Sequence, residues 1–366
     1  MYNEPRVTRR ESAAAGLEEI QMKLRLGFVG VGGIAGRHLG YSAKRSDVEI
    51  VGHADVDPAR AKAAAEKYGG RAYVDFRELY DREKPEAIVI STPPFAHGEI
   101  EEEACKRGIH FFVEKPVAVS LELAARVKRA VDSSGALAQV GYMFRFSEGV
   151  LKVKELLKDR KIALVQEHFY MPGLPPPAWW PKLSLSGGQL IEQATHMLDL
   201  GRFLAGEVVS VSGRTARVHD WTPPPGSQPQ QGMRSYADGF DIPDTTVLTM
   251  QYESGALGTL SCSMIPQVEW DSGFKIVAEG ILVTLDGPNA SWASAESGTC
   301  PAGADWASYV LYDFIDAVKQ GRKRSTVPYD EGVKSLAISI AGYASVAKGG
   351  APVSPQQLLR QAGISC

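Results

Sequence analysis

Six residues do most to limit the folds open to this chain: Gly30-Val31-Gly32-Gly33-Ile34-Ala35, which follow the apolar run Leu24 to Val29 and lead into a stretch, Ala35 to Lys44, that suits a helix. Strand, glycine-rich turn and helix in that order match the G-x-G-x-x-G/A fingerprint of the first βα unit of a doubly wound parallel sheet. In such a unit Gly30 permits the tight turn and Gly32 lets a pyrophosphate approach the backbone, while the helix N-terminus offers free N–H groups and a partial positive charge. Val48 to Ala54 reads as a second strand, and Asp55 then stands where an acid takes the ribose hydroxyls. Val56 follows instead of a basic residue, so a 2′-phosphate would meet a carboxylate. The cofactor expected is therefore NAD, with NADP disfavoured.

The alternation continues. Asp57-Pro58 has the form of an N-cap and first helical residue, for a helix to about Tyr68. Strands are expected at Ala87 to Ser91, Ile109 to Val113 and Ala136 to Val140, with helices at Glu99 to Arg107 and Ser120 to Ser134 between them, which argues for a parallel sheet. That assigns residues 23–141 to a Rossmann domain. Residues 1–22 carry Arg6, Arg9, Arg10, Glu18 and Glu19, begin no strand pattern and read as an N-terminal extension.

With 366 residues the chain exceeds the roughly 250 to 300 at which one core stops growing, so a second domain is expected over 142–366. After a helix at Glu148 to Lys158, the strand candidates Ala163 to Tyr170, Val208 to Val218, Thr245 to Tyr252, Ala256 to Met264 and Phe274 to Ala278 have few helices between them. This is the pattern of an α+β domain with an open, largely antiparallel sheet. Met171 to Leu185 and Asp220 to Ile242 are irregular and proline-rich, of the kind that forms lids or disordered segments. Helices at Trp306 to Lys319 and Asp330 to Ala347 follow.

Forty basic and 43 acidic residues, net charge -3, are spread without long like-charge blocks, which speaks against nucleic acid as a partner. Four cysteines far apart in sequence suggest neither a disulfide framework nor a zinc site, and no metal site is expected. The sequence shows no membrane-length apolar run and no signal-type segment, so the expected setting is cytoplasmic, without membrane.

Two constellations carry chemistry. Lys115, in Glu114-Lys115-Pro116, stands just past the last core strand, at the carboxyl edge where doubly wound sheets bind ligands. Gly187 to Leu200 holds apolar residues at 190, 191, 194, 197, 198 and 200 and reads as one helix, which puts Glu192 and His196 at i and i+4 on a common face. A carboxylate there would orient the imidazole and raise its basicity. Spacing alone equally suits a surface contact or a core histidine.

Taken together, these segments resemble the Gfo/Idh/MocA family of oxidoreductases, typified by glucose-fructose oxidoreductase and inositol dehydrogenase. The resemblance spans almost the whole chain and rests on the glycine loop, Ala54-Asp55, Ser91-Thr92-Pro93-Pro94 with His97, Glu114-Lys115-Pro116, Gly141-Tyr142-Met143-Phe144-Arg145-Phe146, and Gly187-Gly188 through His196-Met197-Leu198-Asp199. It implies a Rossmann domain, an α+β domain whose open sheet serves homo-oligomer contacts (dimer or tetramer), and a nicotinamide cofactor between them. It further implies that Lys115 is catalytic, that His196 is the acid/base with Glu192 beside it, and that Gly30, Gly32, Gly33, Ile34, Ala35, Asp55, Thr92, Pro93, His97, Glu114 and Lys115 line the cofactor. Family members acting on sugars or polyols often have aspartate where this chain has Glu192.

Tyr142, Met143 and Arg145 are expected on the substrate side, with Arg145 alternatively an ion-pair partner. Trp179 and Trp180 offer aromatic platforms for sugar C–H faces, or pack their own loop. His97 either faces the nicotinamide or caps the next helix. The function expected is NAD-dependent hydride transfer to or from a secondary alcohol or ketone of a sugar, polyol or glycoside. Its rivals are a glycosidase or epimerase that oxidises and re-reduces one sugar carbon without net redox, and a non-catalytic NAD-binding regulator.

Overall fold

The computed structural model describes residues 23–175, 177–219, 221, 240–266 and 269–365. The expectations for 1–22, and those for Asp220 and residues 222–239 of the second irregular stretch, lie outside the described residues.

The first layer is a six-stranded sheet of β1 (Leu24–Val29), β2 (Val48–Ala54), β3 (Arg71–Tyr73), β4 (Ala87–Ile90), β5 (His110–Val113) and β6 (Ala138–Val140). Between these strands run α1 (Gly33–Ser42), α2 (Pro58–Tyr68), α3 (Phe76–Glu83), α4 (Glu99–Lys106) and α5 (Leu121–Ser134). Every pair is parallel and the order is β3-β2-β1-β4-β5-β6. Parallel strands covered on both faces must be apolar throughout, and β4 shows it. Its Ala87 and Val89 join the core on the α1 side, whereas Ile88 and Ile90 join the core under α3, α4 and α5. The order reverses between β1 and β4, which opens a crevice at their carboxyl ends.

The second sheet has eight strands: β7 (Ile162–Tyr170), β8 (Val208–Ala216), β9 (Thr245–Tyr252), β10 (Leu257–Ser263), β11 (Asp271–Ala278), β12 (Ile281–Asp286), β13 (Asn289–Ala293) and β14 (Gly298–Cys300). Its order is β14-β13-β12-β11-β7-β10-β9-β8, antiparallel except for β7 with β10. One face is covered by helices, among them α6 (Glu148–Leu157) and α9 (Thr195–Ala205), which follows the short α7 (Leu183–Ser186) and α8 (Gly188–Glu192). Among the described residues no helix covers the other face. Val247, Leu257, Val277 and Leu282 lie exposed on it.

The chain does not divide cleanly at 141. Although β6 ends there, α10 (Tyr309–Lys319) returns to the first sheet, where Val310, Leu311, Phe314 and Ile315 pack with Leu26, Phe28 and Phe112. Gln139 Nε2 donates to Val310 O at 2.6 Å, Val140 N–H donates to Val327 O at 2.9 Å, and Arg45 pairs with Asp316 at 2.6 Å. The expected unit 142–366 is corrected in this respect: residues around 310–328 complete the N-terminal domain, and α10 is attracted there by the apolar face that β1 leaves beside α1. Next, α11 (Tyr329–Ala347) belongs to both cores, with Val333, Leu336 and Ala337 toward the first and Ile338 and Ala341 toward the second. The last helix is α12 (Pro355–Gln361).

Candidate active site

The crevice between β1 and β4 is built from its glycines outward. Gly30 has φ +78°, and a Cβ there would meet Ser91 O at 2.8 Å, so both backbone conformation and close approach require glycine. A Cβ on Gly32 or Gly33, by contrast, meets nothing within 4 Å, and α1 starts there with no side-chain cap and no acidic residue in its first turn. This is an open cradle with unsatisfied N–H groups, the form a pyrophosphate needs. Beside it Ser91 Oγ and Thr92 Oγ1 are buried without hydrogen-bond partners. Asp55 holds the loop: its Oδ2 accepts from Val31 N–H and its Oδ1 from Asp57 N–H, both at 2.9 Å, and each carboxylate oxygen keeps a further lone pair for a ribose hydroxyl. The residues present therefore fit a dinucleotide. Arg60, a turn into α2, is paired with Asp57.

His97 is buried, its Nδ1 2.5 Å from Glu101 Oε1, while its Nε2 has no partner. Since Glu101 also accepts from Gly98 N–H at 2.6 Å, the carboxylate fixes both the imidazole and the start of α4, and His97 itself caps nothing. Glu114 is likewise an internal group. Its Oε1 lies 2.7 Å from His38 Nε2 of α1, and a Cβ on Gly141 would sit 3.1 Å from its carboxylate. Burial pushes its proton affinity up, but the His38 contact and the neighbouring Lys115 outweigh this, leaving its pKa below the usual glutamate value. No local pattern marks His38, whose partner is 76 residues away. The His97 and Glu101 spacing of four was visible.

The Gly187 to Leu200 segment is not one helix. It turns through Gly187 and Gly188, both at positive φ, forms α8, breaks, and restarts as α9. At the break Ala194 N–H reaches back five residues to Gln189 O, and His196 N–H donates to Gln193 O at 3.1 Å. In a continuous helix His196 N–H would have used Glu192 O. That carbonyl instead accepts from Lys115 Nζ at 2.8 Å, and Glu192 Oε1 lies 3.2 Å from the same nitrogen. The other oxygen, Oε2, accepts from Trp180 Nε1 at 3.3 Å.

The expected stacking of Glu192 on His196 is therefore corrected. Glu192 serves Lys115 and Trp180, while His196 packs among the rings of Tyr142 and Phe144, with Nδ1 buried and unpartnered. Burial first, and the charge of Lys115 second, hold the imidazole pKa well below its ordinary value. A carboxylate partner would have raised it. Glu192 itself is raised by burial, against the opposing pull of Lys115 and the Trp180 N–H.

Of the residues expected on the substrate side, Tyr142 is buried with its hydroxyl 2.8 Å from Thr195 Oγ1, and Met143 packs between the cores. Arg145 is committed elsewhere: Nε and Nη2 make a two-pronged contact with Asp199 at 2.8 and 2.6 Å, and Nη2 also meets Glu331 at 2.8 Å. Its assignment to substrate is corrected to an internal ion pair that anchors α9. Trp180 is buried in the second core and faces no platform, whereas the half-buried Trp179 sits edge-on to Phe95, centroids 6.2 Å apart, across the crevice from the first domain.

Residues 24–142 match the profile of an oxidoreductase family with an NAD-binding Rossmann fold, and residues 150–280 match the GFO/IDH/MocA C-terminal domain. The chain is 26% identical over 336 residues to inositol 2-dehydrogenase of Rhizobium meliloti, covering 90% of this chain and 92% of that one. It is 29% identical over 237 residues to an uncharacterised Schizosaccharomyces pombe protein, covering 60% of this chain and 57% of that protein's length. Among solved structures, levoglucosan dehydrogenase in complex with NADH and levoglucosan superposes with a TM-score of 0.79 at 21% identity, over 91% of this chain and 99% of that one, which shows a shared fold.

Proposed function

Since the chain belongs to the Gfo/Idh/MocA family of NAD-binding oxidoreductases, we propose that it oxidises a secondary alcohol of a sugar, polyol or glycoside, or reduces the matching ketone. The observation that carries this reading is the contact of Lys115, just past β5, with Glu192 at the end of α8, close enough to His196 of α9 for the lysine charge to hold that imidazole toward its neutral form, at the carboxyl edge of the sheet that also bears the glycine cradle. Bound NAD supplies the acceptor for the hydride that leaves the alcohol carbon. Lys115 Nζ, kept in place by two oxygens of Glu192, polarises the reacting oxygen. His196 receives the hydroxyl proton: an imidazole with depressed pKa stays neutral, and so able to accept, at pH values where an ordinary histidine is already protonated. Asp55 directs the preference toward NAD, because its carboxylate repels a 2′-phosphate.

The inositol and levoglucosan dehydrogenases among the similar proteins support a cyclic polyhydroxylated substrate. The test is a panel of sugars, inositols and glycosides with NAD and NADP, read by reduced-nicotinamide absorbance. At least one cyclic polyol is expected to respond, with higher kcat/KM for NAD; a folded, NAD-binding protein silent on the whole panel overturns the reading. Product analysis with NAD below the protein concentration separates net oxidation from internal oxidation and re-reduction.

Self-association is part of the same proposal. Leu257, Leu164, Val277 and Leu282 are register partners across β10, β7, β11 and β12, so they form one apolar stripe on the open sheet face. Among the described residues no helix is long and apolar enough to cross a membrane.

A further inference from the structure

Trp180 lies in the proline-rich segment before α7, almost fully buried in the second core beside residues such as Met171 and Leu174. A buried indole needs a partner for its N–H, and many acceptors would serve. This one takes Glu192 Oε2, the oxygen that Lys115 leaves free. The result is a chain of indole N–H, carboxylate and ammonium in which both carboxylate oxygens of Glu192 are engaged: one oxygen and the carbonyl meet Lys115, and the other oxygen accepts from Trp180. The residue next to Trp180 adds a second restraint, since Trp179 rests against Phe95 of the cofactor domain.

We propose that Trp180 is a positioning residue for the reaction: its indole N–H fixes Glu192 so that the carboxylate stays on Lys115 Nζ. This deepens the dehydrogenase reading and rests on it for the assignment of Lys115. The groups acting on the Glu192 carboxylate are Lys115 and Glu114, just past β5, and the Trp180 N–H, and of these only Lys115 and Trp180 touch it among the described residues. A hydrogen bond that favours the ionised carboxylate lowers its proton affinity, so removing the N–H raises it further. The glutamate at this position is long enough to span the two partners, which gives the extra methylene relative to aspartate a physical reason.

The experiment has two arms on the full chain. In the first, indole 15N–1H spectra are followed across the acid and neutral range. One indole signal, absent from Trp180→Phe, is expected to titrate in the wild type and to become independent of pH in Glu192→Gln. This arm needs no substrate and stands or falls apart from the dehydrogenase reading; should Trp180→Phe fail to fold, the wild type and Glu192→Gln alone still carry it. In the second arm, on whichever alcohol the panel identifies, Trp180→Phe keeps NAD affinity, lowers kcat, and moves the acid limb of the rate profile upward by about one pH unit, the scale of one hydrogen bond to a charged group. Absence of any indole titration that vanishes in Glu192→Gln, or a Trp180→Phe enzyme with wild-type kcat and an unmoved limb, overturns the proposal.

Discussion

On the proposed reading, binding and chemistry in this crevice part at a single lysine. Lys115 touches Glu192, whereas the glycine cradle and Asp55 belong to β1, α1 and β2. Lys115→Met is therefore expected to cut kcat by roughly 10² to 10⁴, the usual loss when a positioned electrostatic group is removed, with NAD affinity by calorimetry nearly unchanged. Gly32 gives the mirror result. Its φ of -74° suits any residue and a Cβ there meets no atom, so Gly32→Val leaves the melting temperature where it was. The new side chain fills the pyrophosphate's place, and NAD affinity falls about tenfold or more, as the loss of roughly 1.4 kcal/mol of contact implies. A melting temperature that drops with the affinity would show that Gly32 serves the fold instead.

At the level of elements, α9 is the one whose surroundings were hardest to foresee. Its apolar spacing made it readable as a helix, and Gly187-Gly188 announced its approach, yet the break at residues 193 and 194 had no local signal, and the Glu192 carbonyl it leaves free is taken by Lys115, 77 residues away. The same holds for Arg145, whose charge was visible but whose partners, Asp199 and Glu331, are 54 and 186 residues distant. Short β3, β13 and β14 and polar α3 carried too little apolar pattern to be recognised, whereas β12, with Ile281, Leu282, Val283 and Leu285, had the pattern and was missed. The glycine loop, the first-domain strands other than β3 and the helix cap at Asp57 were legible since each is decided by a few adjacent residues.

Beneath α9 lies Glu167 of β7, so close that a Cβ on Gly201 would meet its Oε1. Tyr252 donates to that oxygen at 3.0 Å, Oε2 has no partner, and burial pushes the carboxyl from 4.5 up to about 8. A group whose folded pKa is raised binds its proton more tightly in the folded state, so its contribution to stability is complete below about pH 4.5 and is lost as pH rises toward 8. Glu167→Gln keeps the shape and removes the titration. Melting temperatures of the two proteins should diverge between those pH values, in favour of the variant at the alkaline end; parallel curves would place Glu167 in contact with water.

For the whole molecule, the proposed self-association rests on the open sheet. Leu282, 44% exposed and paired with Val277 across β11 and β12, sits on the apolar stripe that supports homo-oligomer contact. Leu282→Lys places a charge there and is expected to shift the mass measured by light scattering toward the monomer, while the fold, whose cores are on the other faces, keeps its circular dichroism. An unchanged mass would move the contact to another surface.

The return of α10 also sets a timetable. Since the face of β1 beside α1 is closed by Phe314 and its neighbours, the Rossmann domain stays incomplete after β6 is made until about 180 further residues have followed, about 10 to 40 seconds at ordinary elongation rates. During that interval Leu26, Phe28 and Phe112 lack the partners that α10 supplies, and the nascent chain carries an apolar surface still to be covered.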